Sequence, residues 1–170
     1  MNQGDHTVVF EPLHSDVVKP SRETHGSAGY DVRAYLNGRN VRVRVAGSGE
    51  LCEVPAKEGK LTLDPGDVGL IPTGFKARVP VGFEAQVRIR SSMAFKRGLI
   101  LPNAPGTIDS DYPDEWLIMM KNTSTQPVVI EHGERVAQVI LSRVESVPWV
   151  EGPVVVTTDR KGGFGSTGHV

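Results

Sequence analysis

The sequence predicts an all-β chain of the sandwich, jelly-roll or barrel kind. Three observations carry that expectation: ten or more short segments of period-two hydrophobicity, scarcely any helical periodicity, and Gly/Pro punctuation at regular intervals. At 170 residues one domain is the simplest count, although length alone does not exclude a domain completed by neighbouring subunits.

The first strand is expected at Val8 to Leu13 and the second at Asp31 to Leu36, where Val32, Ala34 and Leu36 alternate with Arg33 and Tyr35. Val41 to Ala46 alternates valine with arginine, so Arg42 and Arg44 read as a solvated face over inward valines. After the turn Gly47-Ser48-Gly49, Glu50 to Ala56 followed by Lys60 to Leu63 suggests a hairpin, and residues 37–60 read as a peripheral insertion into a domain spanning residues 1–150. Val68 to Ile71 follows the turn Asp64-Pro65-Gly66-Asp67.

Phe83 to Arg90 alternates again, which leaves Arg90-Ser91-Ser92 at a strand end. Met93 to Arg97 is the one stretch with a helical look, and Ser91 or Ser92 could cap it. Backbone N–H groups, two hydroxyls and a guanidinium would then form an anion site. Trp116 to Lys121, Pro127 to Ile130 and Arg135 to Val144 complete the strands. Gln138 is the polar outlier of the last, most simply an edge or interface amide that has found a hydrogen bond.

Composition narrows the functional classes. Nineteen basic and twenty acidic residues nearly cancel, which argues against a protein that coats nucleic acid or an anionic membrane. The single Cys52 forms no intrachain disulfide, and the start Met-Asn-Gln-Gly-Asp-His has neither a basic nor an apolar leader region, so a cytoplasmic protein is expected. No apolar run approaches the roughly 20 residues of a spanning helix. His6, His14, His25, His132 and His169 are scattered, with no protein-built zinc site. A magnesium ion carried in by substrate phosphates remains compatible with the chain.

The mid-chain stretch Asn103 to Tyr112 brackets a serine with Asp109 and Asp111 and follows with an aromatic ring. By itself it reads either as a polar turn or as a general base beside a stacking platform. The tail Asp159 to Gly168 has too little apolar surface to fold alone. It is not a Walker loop, since its lysine precedes the glycines and no helix follows.

Five segments have to be explained together: Ser27-Ala28-Gly29-Tyr30-Asp31, Arg90-Ser91-Ser92-Met93-Ala94, Gly106-Thr107-Ile108-Asp109-Ser110-Asp111-Tyr112, Gly133-Glu134-Arg135-Val136-Ala137-Gln138 and Gly162-Gly163-Phe164-Gly165-Ser166-Thr167-Gly168. In this order they closely resemble the five motifs of the trimeric all-β dUTPases, over about residues 7–169. The resemblance implies a distorted jelly-roll subunit of the β-clip type in a homotrimer. It also implies hydrolysis of dUTP to dUMP and pyrophosphate with Mg2+ on the triphosphate, and sites between subunits closed by the 151–170 tail of a neighbour.

Carried over by position, Asp109 matches the aspartate that orients and deprotonates the attacking water, and Tyr112 the ring that packs on deoxyribose and leaves no room for a 2′-hydroxyl. Asn103, with Gly106, Thr107, Ile108 and Leu117, matches the positions around uracil and sugar. Arg90, Ser91, Ser92 and Gln138 match the phosphate-binding positions. Asp31 matches an aspartate that organises the metal shell, through water, or the surroundings of the base. Phe164 matches the aromatic that stacks over uracil, while Gly165, Ser166 and Thr167 match donors to the γ-phosphate.

Three departures stand out: Pro113-Asp114 where the family has Arg-Gly or a similar pair, Ser92 where glycine is common, and only Lys161 between Arg160 and Gly162, so that either Arg160 or Lys161 is the phosphate contact. A dCTP deaminase shares the fold and an Arg-Ser-Ser stretch but not the third and fifth motifs together. A regulatory protein-binding role using residues 37–60 is the rival from another class.

Overall fold

The computed structural model describes residues 6–159, so the tail residues Arg160, Phe164, Gly165, Ser166 and Thr167 lie outside the described residues. Along the chain come β1 (Val9–Pro12), β2 (Tyr30–Arg33), β3 (Asn40–Arg44), β4 (Leu51–Pro55), β5 (Lys60–Leu63), β6 (Val68–Pro72), β7 (Phe75–Arg78), β8 (Phe83–Ile89), α1 (Ser91–Arg97), β9 (Leu99–Ile100), β10 (Gly106–Ile108), β11 (Leu117–Asn122), β12 (Val128–Glu131) and β13 (Arg135–Arg143). The all-β expectation is met.

Two larger sheets, ordered β4-β3-β6-β11-β9 and β10-β8-β13-β2, are joined by the pairs β1-β7 and β5-β12. Strict alternation builds the core: in β3, β5 and β11 every second residue is buried, which turns Val41, Val43, Leu61, Leu63, Ile118 and Met120 inward. Each such side chain removed from water contributes on the order of 1.5–3 kcal/mol. Phe75 sits between the rings of Phe10 and Trp116, at 5.3 Å from each centroid.

Two expectations need correction. Glu50 to Ala56 does not pair with Lys60 to Leu63. β4 is antiparallel to β3, while β5 crosses to β12 with Leu63 opposite Val128. A tight turn at Glu58-Gly59 does form, closed by a single Lys57–Lys60 bridge, but β4 is already paired with β3 and the ladder of β5 goes to β12. The segment 37–60 is also peripheral only in its outer strand, because β3 joins β6 at Val43–Gly69 and Arg44–Val68 and buries Val41 and Val43.

The helix runs as expected, but neither serine caps it. Arg90 is the capping residue, in extended backbone and without a side-chain bond to the first turn, and Ser91 and Ser92 are already helical. Gly98, at φ 64°, ends the helix in the left-handed conformation, donating its N–H to Ala94 O at 3.0 Å. Beyond β13 no regular element follows among the described residues, and Val147, Trp149, Val150, Val154, Val155 and Val156 are exposed.

Candidate functional site

Three of the quoted segments meet in one cleft of about 310 Å³, lined by Glu23, Ser27, Ala28, Gly29, Asp31, Arg90, Ser91 and Gln138. Strand order brings them together: β13 lies between β8 and β2, with Gln138 opposite Arg88 on one side and Asp31 on the other. Arg90 follows directly on the end of β8.

Asp31 is the organising charge. Its Oδ1 accepts from Arg90 Nε at 3.2 Å and its Oδ2 from Arg135 Nη1 at 3.1 Å, with the carboxylate side chain only 11% exposed. Arg90 Nη1 also donates to Arg135 O at 3.3 Å. Arg135 further pairs with Glu23 at 2.5 Å, and Glu23 first, then Asp31, raise its pKa above the ordinary guanidinium value. A carboxylate between two guanidiniums holds both in a fixed orientation.

Arg135 reaches this side because of a bulge. Residues 135 and 138 are an odd number apart and would face opposite sides of a regular strand. The register against β2 slips between Arg135 and Ala137, so Val136 and Ala137 are both buried and Arg135 and Gln138 both serve the cleft. Neither Arg135 nor Glu23 was singled out from sequence. An arginine on a strand reads as solvated, and Glu23 carries no local signal.

Gly29 is required by close approach. A Cβ there would stand 2.4 Å from Gln138 Oε1 and 3.1 Å from Gln138 Cβ. Gly29→Ala is therefore expected to lower the melting temperature modestly, since the amide end can swing away but Gln138 Cβ at 3.1 Å must also give, while any activity that depends on Gln138 falls at least about tenfold. A parallel thermal melt and steady-state assay check this.

Ser92 is exposed in the first turn of α1 and does not line the cleft. On the protein side, the one contact named for the magnesium expected with the substrate phosphates is Asp31. Both its oxygens already face guanidiniums, which suits a contact through water rather than direct coordination, and no group of three His, Cys, Asp or Glu that could hold a metal occurs among the described residues.

The third segment forms a separate group. Gly106 to Ile108 is a strand, β10, rather than a loop, and it pairs with β8 with Ile108 opposite Ala85. Asn103 lies over Gly106, its Nδ2 3.3 Å from where a Cβ would be. Asp109 is exposed just past β10, and its carbonyl accepts the Tyr112 N–H at 3.2 Å, closing a turn. Tyr112 lines one cleft with Glu11, Lys76, Arg78, Ser110 and Asp111, and another with Leu117, Arg39 and Glu115. Asp109 lines neither these nor the Arg90 cleft.

The register gives the separation its scale. Ala85 is five positions before Arg90 on β8, and Asp109 lies one step beyond Ile108, so at ~3.3 Å per residue about 20 Å separates the backbones of Asp109 and Arg90. The chain thus holds two separated groups, a cleft at Asp31, Arg90, Ser91 and Gln138 whose guanidiniums and carboxylates pair, and a turn carrying Asp109 and Tyr112.

Comparison with known proteins places the chain in a family. A family model described as dUTPase matches residues 57–168. The deoxyuridine 5'-triphosphate nucleotidohydrolase of Desulfotalea psychrophila is 41% identical over 150 residues, covering 88% of this chain and 86% of that protein. The crystal structure of dUTPase from Streptococcus mutans superposes with a TM-score of 0.61 at 29% identity, over 82% of this chain and 98% of that one. The fold alone is shared with the dUTPase of Staphylococcus aureus phage phi11, in which a structural Mg(II) ion is coordinated, with a TM-score of 0.67 at 17% identity over 89% and 99% of the two chains. The described strands and these likenesses agree, and the chain belongs to the dUTPase family.

Proposed function

We infer that this chain hydrolyses dUTP to dUMP and pyrophosphate in the cytoplasm, as a homotrimer whose sites form between copies. The observation that carries the reading is the pair of separated groups roughly 20 Å apart on one chain. A base that activates water and a guanidinium that holds the phosphates under attack must lie within a few ångströms of one nucleotide, and two copies facing each other satisfy that where one does not. The segment after β13 leaves Val147, Trp149, Val150 and Val154 to Val156 exposed, Trp149 at 98%, which suits a segment covered by another copy.

In the mechanism, Asp109 Oδ accepts a proton from a water whose oxygen attacks the α-phosphorus. The bond from that phosphorus to the bridging oxygen of the β-phosphate breaks, and the electron pair leaves with pyrophosphate. Arg90, Ser91 and Gln138 hold the phosphates, with Arg90 kept in place by Asp31. The uncapped first turn of α1 adds N–H donors that have no carbonyl one turn back. Tyr112 packs on the deoxyribose and Asn103, Gly106, Thr107, Ile108 and Leu117 surround uracil. Magnesium, when bound, neutralises triphosphate charge, and Asp31 would hold its shell through water.

Pyrophosphate release measured across the common deoxynucleotides and UTP, with and without magnesium, tests the reading. Release from dUTP above all others is expected. Ammonia from dCTP without pyrophosphate from dUTP would instead identify a deaminase. The tail is assigned as a lid carrying Phe164, Gly165, Ser166, Thr167 and either Arg160 or Lys161 onto a neighbour's site. A chain ending at Asp159 should keep its assembly and melting temperature while turnover falls at least about tenfold, and an active truncated enzyme would remove the lid.

A further inference from the structure

The segment 37–60 lies outside the recognised motifs, yet its first residues touch the turn that carries Tyr112. Arg39 grips Glu115 with both arms of its guanidinium, Nη1 to Oε1 at 3.2 Å and Nη2 to Oε2 at 2.6 Å, and Glu115 Oε1 also accepts the Gly74 N–H at 2.7 Å. The pair is shielded, with side chains 24% and 15% exposed. The segment's other ion pairs among the described residues, Arg42 with Glu53 at 4.0 Å and Lys60 with Glu131 at 2.9 Å, are more than half exposed on both sides, a kind of contact that contributes little.

Glu115 is where the turn leaves for β11. Residues 111–114 are all exposed, whereas Trp116 is bound on both sides, its N–H to Phe75 O at 3.1 Å and its carbonyl to the Thr73 hydroxyl at 2.8 Å. Glu115 therefore stands between an anchored strand and an open turn. The Tyr112 hydroxyl donates to Glu115 O at 3.4 Å, and the Tyr112 N–H returns to Asp109 O. Arg39, Glu115, Tyr112 and Leu117 all line one cleft of about 490 Å³.

We propose that Arg39 is a positioning residue for sugar selection: by clamping Glu115 it holds the Tyr112 turn close enough to the deoxyribose to exclude a 2′-hydroxyl. The proposal rests on the dUTPase reading above. Its physical content is that a ring discriminates a hydroxyl sterically only while its backbone cannot retreat, and displacement of about 1 Å is enough to admit it. A bidentate guanidinium–carboxylate pair fixes both distance and direction, which a lysine ammonium does not.

The test is the ratio of kcat/KM for dUTP to that for UTP, measured on the full chain beside its thermal melt. Arg39→Ala is expected to lower that ratio at least about fivefold and Arg39→Lys to lower it partway, while Arg44→Ala, on an exposed position of β3, leaves it unchanged. Lower melting temperature with an unchanged ratio in both Arg39 variants would overturn the proposal and leave Arg39 a purely structural residue. If Arg39→Ala fails to fold, the ratio in Arg39→Lys decides alone. A wild-type chain that shows no preference for dUTP would instead overturn the functional reading itself.

Discussion

Asp109→Asn is expected to bind a non-hydrolysable dUTP analogue within about threefold of wild type while kcat falls at least about 100-fold. The amide keeps the size and much of the hydrogen bonding of the carboxylate but cannot accept the proton of the attacking water. Because Asp109 is exposed and its side chain makes no hydrogen bond or ion pair among the described residues, the substitution removes no fold contact, and the melting temperature should not move. Calorimetric titration beside a pyrophosphate assay reads both quantities. Turnover close to wild type would remove Asp109 from the role of base.

The second large effect comes from mixing two dead variants. Arg90→Ala lacks the guanidinium assigned to the phosphates and Asp109→Asn lacks the base, so each alone should be nearly inactive. Co-expressed in equal amounts, they assemble mixed oligomers in which about a quarter of the sites draw an intact Asp109 from one copy and an intact Arg90 from the next, and activity should return to about a quarter of wild type. That fraction follows from random neighbours in a closed ring and does not depend on the number of copies. Activity that stays at the level of either variant alone would mean that a single chain supplies both groups, against the separation along β8.

Much of this was legible in the chain because alternation is a local property. The valines of Val41 and Val43, the run at β8 and the leucines of β5 announce strands and their buried faces without any knowledge of partners. The five motifs were equally legible, since they are short and ordered along the sequence. Pairing was not. β4 looked like the neighbour of β5 because they are adjacent in sequence, and only the shared core shows β5 turning to β12.

The site shows the same division. Residue types left Asp109 and Tyr112 open between a turn and a site and Gln138 an edge amide, and the order of the five motifs, through their resemblance to the dUTPases, gave Asp109, Tyr112, Arg90 and Gln138 their expected roles. Tertiary structure decided which of them meet. A bulge that no periodicity reveals turns Arg135 toward Asp31, and Glu23, more than a hundred residues earlier, joins it. An ion pair ties Arg39 to Glu115 across 76 positions of sequence. Strand register, which depends on the burial of distant side chains, keeps Asp109 and Arg90 apart on one chain, and that separation is what the proposed shared site rests on.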